Sequence, residues 1–155
     1  MLDRLDGVTS AQMLERFPPF HYLGVRVLEL TDDWGRVRIL LPLNRDTMNP
    51  GGSVFGGSIA ALADPIPALA SNRRFPGYAV WTRELSVDFR RPGKTDLELR
   101  FDFPQHAMGK IARELALKGR CTPRFEFGLY DTSNQVVAWV CNRVAIRPIS
   151  AEDPP

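Results

Sequence analysis

Apolar and polar residues alternate with a period of two in six stretches of the chain, and three further stretches read as helices. Val25 and Val27, running on to about Leu30, and then Val37, Ile39 and Leu41 flank Asp32-Asp33-Trp34-Gly35, which predicts a hairpin. Tyr78 to Arg90 carries Leu85, Val87 and Phe89 at alternate positions. Leu97, Leu99, Phe101 and Phe103 alternate with Glu98, Arg100 and Asp102, the clearest strand signal in the chain. Phe125, Phe127 and Leu129 form a fifth strand, and after the DTSNQ turn Val136 to Ile146 closes the sheet. Thr9 or Ser10 caps a short amphipathic helix that ends at Phe17, where Pro18-Pro19 stop it, so that His21 leads into the first strand. Met108, Ile111, Ala112 and Leu115 recur at helical spacing, with His106 at the start and Gly119 as the stop, and Pro148 to Pro155 reads as a frayed tail.

The middle of the chain is different. Asn44 to Ser53 is rich in turn formers and predicts a loop, whereas Val54 to about Asn72 is small and apolar nearly all round, which predicts a helix buried on most of its surface. Glycine costs about 1 kcal/mol relative to alanine in a helix, so Gly56 and Gly57 at its start point to a need for close backbone approach. A flat sheet cannot surround a helix, so the sheet must curl around it. The expected architecture is α+β, a hotdog fold: a curved antiparallel sheet wrapped around one central helix, with an N-terminal helix and a small inserted helix. It fills a single domain over residues 1–148, followed by a tail over 149–155. Its exposed sheet edges predict pairing with a second copy, a homodimer or a dimer of dimers.

Composition narrows the chemistry. The 155 residues are 44% hydrophobic and 25% charged, as expected of one globular domain. Twenty Lys and Arg against eighteen Asp and Glu leave a formal charge of +2, far from a nucleic-acid binder, so an anionic partner must meet a local cluster of arginines. There are two histidines, His21 and His106, and two cysteines, Cys121 and Cys141, with no metal-ligand spacing and no nucleophile-elbow pattern. An enzyme built from these residues relies on a carboxylate, with no metal and no cofactor. The acidic N-terminus MLDRLDGVTS is unlike a signal peptide, and no apolar run approaches the roughly 18 residues that span a bilayer. The expectation is a cytoplasmic protein with free thiols and no membrane or nucleic-acid partner.

The stretch NPGGSVFGGSIAALAD, Asn49 to Asp64, resembles the motif of the phenylacetate-pathway (PaaI-like) branch of hotdog acyl-CoA thioesterases: an Asn, then His-Gly-Gly, then Leu-Ala-Asp at matching spacing. YAVWTRELSVDFRRPG, Tyr78 to Gly93, and the inserted helix resemble a relative often labelled tetrameric acyl-CoA thioesterase. The resemblance covers roughly residues 10 to 147 in element order. It implies hydrolysis of an acyl- or aryl-CoA thioester, with CoA thioester as substrate, by an enzyme whose site is shared between subunits. Physically, Gly56 and Gly57 would offer unpaired N–H groups at the positive end of a helix to an oxyanion. Tight packing is the competing role for both glycines. Asp64 resembles the family's catalytic carboxylate as general base or nucleophile. It is also well suited to cap a helix restarted after Pro65 and Pro67. Gly56 and Asp64 stand about 12 Å apart at about 1.5 Å per helical residue, so one carbonyl meets both only if antiparallel helices of two subunits lie side by side.

Asn49 matches the motif asparagine, with turn-making as its competing role. Thr82 falls where some relatives carry a serine that holds the attacking water, and is otherwise an ordinary strand residue. Arg90, Arg91 and Lys94, with Arg73, Arg74 and Arg143 in support, supply donors for the phosphates of CoA. The departure is Phe55, where the family has histidine; phenyl packs but cannot hydrogen-bond. It favours the alternative of a non-catalytic acyl-CoA or fatty-acyl binding protein of the same fold. A different curved-sheet fold with a helix-covered apolar cavity is a third reading, which the absence of a dimer would favour. A dehydratase is disfavoured for want of a site histidine.

Overall fold

A computed structural model describes residues 8–150. Helix α1 (Ser10–Arg16) starts at Thr9, whose Oγ1 accepts from the Gln12 N–H while the Gln12 side chain accepts from the Thr9 N–H, a reciprocal capping box. Pro18 and Pro19 end α1 but do not lead straight into a strand. Their fixed φ and missing N–H suit a first helical turn, so they open α2 (Pro18–Leu23), which contains His21 and ends at left-handed Gly24.

The strands are β1 (Arg26–Leu30), β2 (Arg36–Leu41), β3 (Tyr78–Phe89), β4 (Leu97–Asp102), β5 (Arg124–Tyr130) and β6 (Val136–Pro148). They form one curved antiparallel sheet in the order β1-β2-β4-β5-β6-β3. This is the hotdog arrangement. The period-two pattern puts Val37, Ile39, Leu41, Leu97, Leu99, Phe101, Phe125, Phe127 and Leu129 on the buried side, where Phe101 meets Phe103, Phe125 and Phe127 edge-on. Because β6 runs on to Pro148, paired with Tyr78, the tail starts later than its prolines suggest, and residues 151–155 lie outside those described. The inserted helix α5 (Gln105–Lys118) ends at Gly119, as its spacing predicts.

The central helix is split into α3 (Gly56–Ala63) and α4 (Ile66–Arg74). Pro65 and Pro67 lack the N–H groups that the carbonyls of Ala61 and Ala63 would accept, so the ladder breaks there. Nor is the helix buried on most of its surface within one chain. Ser58, Ile59, Leu62 and Ala63 face the sheet, but Gly57, Ala61 and Asp64 are exposed along one face at helical spacing. Alongside, β3 forms a free sheet edge of twelve residues on which Trp81 and Phe89 are exposed. Cys121 and Cys141 are both free; Cys121 pairs with Ile146 and Cys141 with Glu126 and Ser86, so the two never meet. No helix among the described residues is long and apolar enough to cross a membrane.

Candidate active site

The loop before α3 is held by a buried threonine. Thr47 is wholly buried; its hydroxyl donates to the Pro42 carbonyl at 2.6 Å, and its own carbonyl accepts from the Phe55 N–H at 2.7 Å. Val54 donates to the Gly93 carbonyl at 2.8 Å, which ties the loop to the Arg91–Lys94 turn. Asn49 Oδ1 accepts from the Gly51 and Ser53 N–H groups, the turn-making arrangement open to an asparagine. With the loop so fixed, α3 starts at Phe55, which provides no side-chain cap. The N–H groups of Gly56 and Gly57 consequently have no acceptor among the described residues.

Both glycines also meet aromatic rings. A Cβ on Gly57 would sit 2.3 Å from the Phe55 ring, and one on Gly56 would sit 3.1 Å from Phe89. Phe55 and Phe89 are each more than half exposed. The glycines thus pack against two exposed aromatic rings, and their N–H groups beside those rings have no acceptor among the described residues.

Asp64 closes α3 in right-handed helical conformation, and α4 is entered from Pro65 with no side-chain cap. The capping role expected for Asp64 is thus not taken up, because its own backbone is still helical where an N-cap must be extended. Its carboxylate is exposed, with no hydrogen bond or ion pair among the described residues. Its carbonyl, freed by the break, accepts from Thr82 Oγ1 at 2.8 Å and from Asn142 Nδ2 at 3.0 Å. Asn142 is the residue that sequence reasoning missed. It is fully buried, its Oδ1 has no partner, and it breaks the inward apolar register of Val140, Val144 and Ile146 on β6. That polar interruption was the available signal.

The cations separate into groups. Arg90 pairs with Asp88 at 3.0 Å and lies over Trp139; Arg91 donates to the Gln135 side chain; Lys94 is exposed without an ion pair among the described residues. These three flank the start of α3. The other arginines do not join them. Arg73 donates to the Asp32 carbonyl and Arg74 pairs with Asp33, at the far end of α4, while Arg143 pairs with Glu84 across the sheet. The Gly35 N–H, the Thr31 hydroxyl and Arg74 hold Asp33 below the usual carboxylate range. Burial, and then the Glu114 carboxylate to which it donates at 2.6 Å, push the Cys121 thiol up to about 12, which leaves it protonated and unreactive near neutral pH. That thiol, with Lys118 and Lys110 nearby, lowers Glu114.

Several solved structures share this fold. A Pseudomonas aeruginosa protein of unknown function, described as a probable thioesterase, superposes with a TM-score of 0.78 at 23% identity, over 88% of this chain and 92% of its own. The thioesterase HI1161 of Haemophilus influenzae does so with a TM-score of 0.70 at 14% identity, over 94% and 96%. The E. coli PaaI protein, from the phenylacetic acid degradation operon, gives 0.65 at 20% identity, over 86% and 87%. These likenesses establish the hotdog fold. No curated protein matches in sequence. The family model described as "Domain of unknown function (DUF4442)" matches residues 6–146, and the chain belongs to that family.

Proposed function

We propose that this DUF4442 protein hydrolyses the thioester of an acyl- or aryl-CoA, in a site completed by a second copy of the chain. The observation that carries the reading is the exposed face of α3, which presents two unpartnered N–H groups at Gly56 and Gly57 and an unpartnered carboxylate at Asp64. Since about 12 Å separates the two along the helix, a second α3 running antiparallel brings Gly56 of one copy beside Asp64 of the other. The small exposed residues Gly57 and Ala61 permit that approach, and the free β3 edge supplies backbone groups for pairing.

In this mechanism the Asp64 carboxylate takes a proton from water as the water oxygen bonds to the thioester carbon. Charge developing on the carbonyl oxygen is stabilised by the Gly56 and Gly57 N–H groups. The tetrahedral species then expels the CoA sulfur, which takes the proton held by Asp64 and restores the carboxylate. Thr82 spends its only proton on the Asp64 carbonyl, so its remaining lone pairs can accept from the attacking water. Asn49 holds the loop that sets the glycines. Arg90, Arg91 and Lys94 stand near the oxyanion end to meet phosphates, Lys94 being the uncommitted one. Neither metal nor cofactor is needed.

The decisive experiment is thiol release from short, long and aromatic CoA thioesters by the native chain and by Asp64→Asn. Loss of a positioned general base lowers turnover by about 10²–10⁴-fold; full turnover by a folded Asp64→Asn protein removes the mechanism. One observation favours a second reading, an acyl-CoA binding protein without turnover: the Phe55 ring lies against Gly57, where the resembled enzymes carry an imidazole. Inactivity towards every thioester, with CoA binding retained, would select it.

A further inference from the structure

The cations of this molecule are unevenly placed. Two neighbouring cavities of about 440 and 420 Å³ share Glu114, Cys121 and Thr122 in their walls, and so form the lobes of one groove. Lys110, Arg124 and Arg143 line one lobe, with His106 at its side. Arg83, Lys118, Arg120 and Arg147 line the other. The groove thus holds seven of the twenty Lys and Arg, and among the described residues Glu114 is the only carboxylate in its walls. The other described residues hold twelve cations against thirteen acids. A near-neutral total conceals a positive groove on a nearly neutral body.

Four elements converge to make it. On β6, Arg143 and Arg147 are four residues apart and share a face, and Arg124 stands opposite Arg143 on β5. Helix α5 adds Lys110, Glu114 and Lys118 as one stripe at successive turns. Arg83 sits at the bulge of β3 between Thr82 and Glu84. The neighbour of Arg143, Asn142, reaches Asp64 on the helix side, so Arg143 and the groove lie on the opposite face of the sheet.

The charges are only partly answered. Glu84 and Glu126 reach Arg143 and Arg124 from outside the walls, and Glu114 is engaged by Cys121 and by Lys118 at 3.9 Å. Arg83, Lys110 and Arg120 have no ion pair among the described residues. Arg147 is oriented entirely by neutral oxygens: its Nη1 donates to the carbonyls of Cys121 and Ile146, and its Nη2 to Thr122 Oγ1. A guanidinium held in that way keeps its full charge and a fixed direction. Like charges so gathered repel unless an anion joins them, and each lobe has the volume of a small-ligand site.

We propose that this groove binds a small ligand carrying two or more phosphate groups, distributed over its two lobes. The inference stands independently of thioester hydrolysis. The phosphates could belong to the nucleotide end of a CoA compound or to a free phosphorylated ligand, and the chemistry of recognition is the same. Titration calorimetry on the full chain uses inorganic pyrophosphate and adenosine 3′,5′-bisphosphate, with adenosine as the uncharged control. Both anions bind, adenosine does not, and affinity falls steeply as salt is raised. Lys110→Glu with Arg120→Glu weakens the anions roughly tenfold or more, while Arg36→Ala, in the β1–β2 hairpin outside the groove, leaves them unchanged. Should charge reversal prevent folding, Lys110→Gln with Arg120→Gln gives the same comparison with less repulsion. Displacement of pyrophosphate by CoA but not by pantetheine assigns the phosphates to a CoA compound, and indifference to CoA assigns them to a free ligand. Failure of both anions to bind, or binding that the Lys110 and Arg120 variants leave unchanged, overturns the proposal. None of these readouts measures hydrolysis, so an inactive protein does not affect them.

Discussion

The two faces of the sheet are built on opposite terms. On the helix side, the exposed strip of α3 consists of small residues, free backbone N–H groups and a single carboxylate, and its chemistry depends on how closely another backbone can approach. On the outer side, the groove between α5, β3, β5 and β6 is lined by long cationic side chains that gather positive charge. On these proposals the first responds to one added methyl group and the second to salt. One strand joins them, since Thr82 of β3 holds the Asp64 carbonyl while Arg83, at the adjoining bulge, lines the groove.

The sharpest way to separate the two faces is Asn142→Leu. The change removes one of two donors to the Asp64 carbonyl, but it also removes a buried Oδ1 that has no partner, so stability shifts by only about 1 kcal/mol. If Asn142 positions Asp64, kcat falls by about tenfold or more while KM is nearly unchanged, since small misplacements of a catalytic group are costly. Anion binding in the groove is unaltered. An unchanged kcat would show that the carbonyl clamp is structural only.

Gly57→Ala probes the helix side from its backbone. Alanine is favoured over glycine in a helix by about 0.5–1 kcal/mol, and the obstacle to its Cβ is the exposed, movable ring of Phe55. The expected outcome is a melting temperature equal to or above that of the native chain, together with reduced thioester turnover. Turnover equal to native would leave the glycine a packing role alone.

The smallest effect concerns the groove floor. With its thiol pushed up to about 12, Cys121 keeps its proton in the folded chain after the unfolded chain has lost it. This contribution to stability is complete below about pH 9, the ordinary thiol value, and is lost as pH rises towards about 12. Alkylation of Cys121 should continue to accelerate beyond pH 9, and Glu114→Gln should move the inflection to lower pH. A rate that levels off near pH 9 in the native chain would contradict this.

Much of this molecule was legible in local pattern. The alternation around Phe101 and Phe127 marks the strands, because a half-buried strand must sort its side chains every second residue. The small residues of α3 mark the helix that the sheet encloses, and the pair Asp64-Pro65 marks the site of its break. What stayed hidden arose from contacts distant in sequence. Pro18-Pro19 stop one helix and start another, and proline chemistry permits both. Arg90 and Arg91 stand out beside a turn, yet they are already engaged by Asp88 and Gln135. Asn142 reads as an ordinary strand residue until β6 brings it beneath Asp64, 78 positions away.

The sequence alone determined the order of the strands and the place of the central helix, because periodicity, turn chemistry and proline geometry act over a few residues, and its family resemblance singled out the candidate carboxylate. Only the tertiary structure decided which polar groups are satisfied and where the charge accumulates. A net charge of +2 is a sum over the chain, whereas a ligand meets the field of one surface. Strand register and the placement of α5 carry cations from residues 83 to 147 into a single groove, and no local pattern records that convergence.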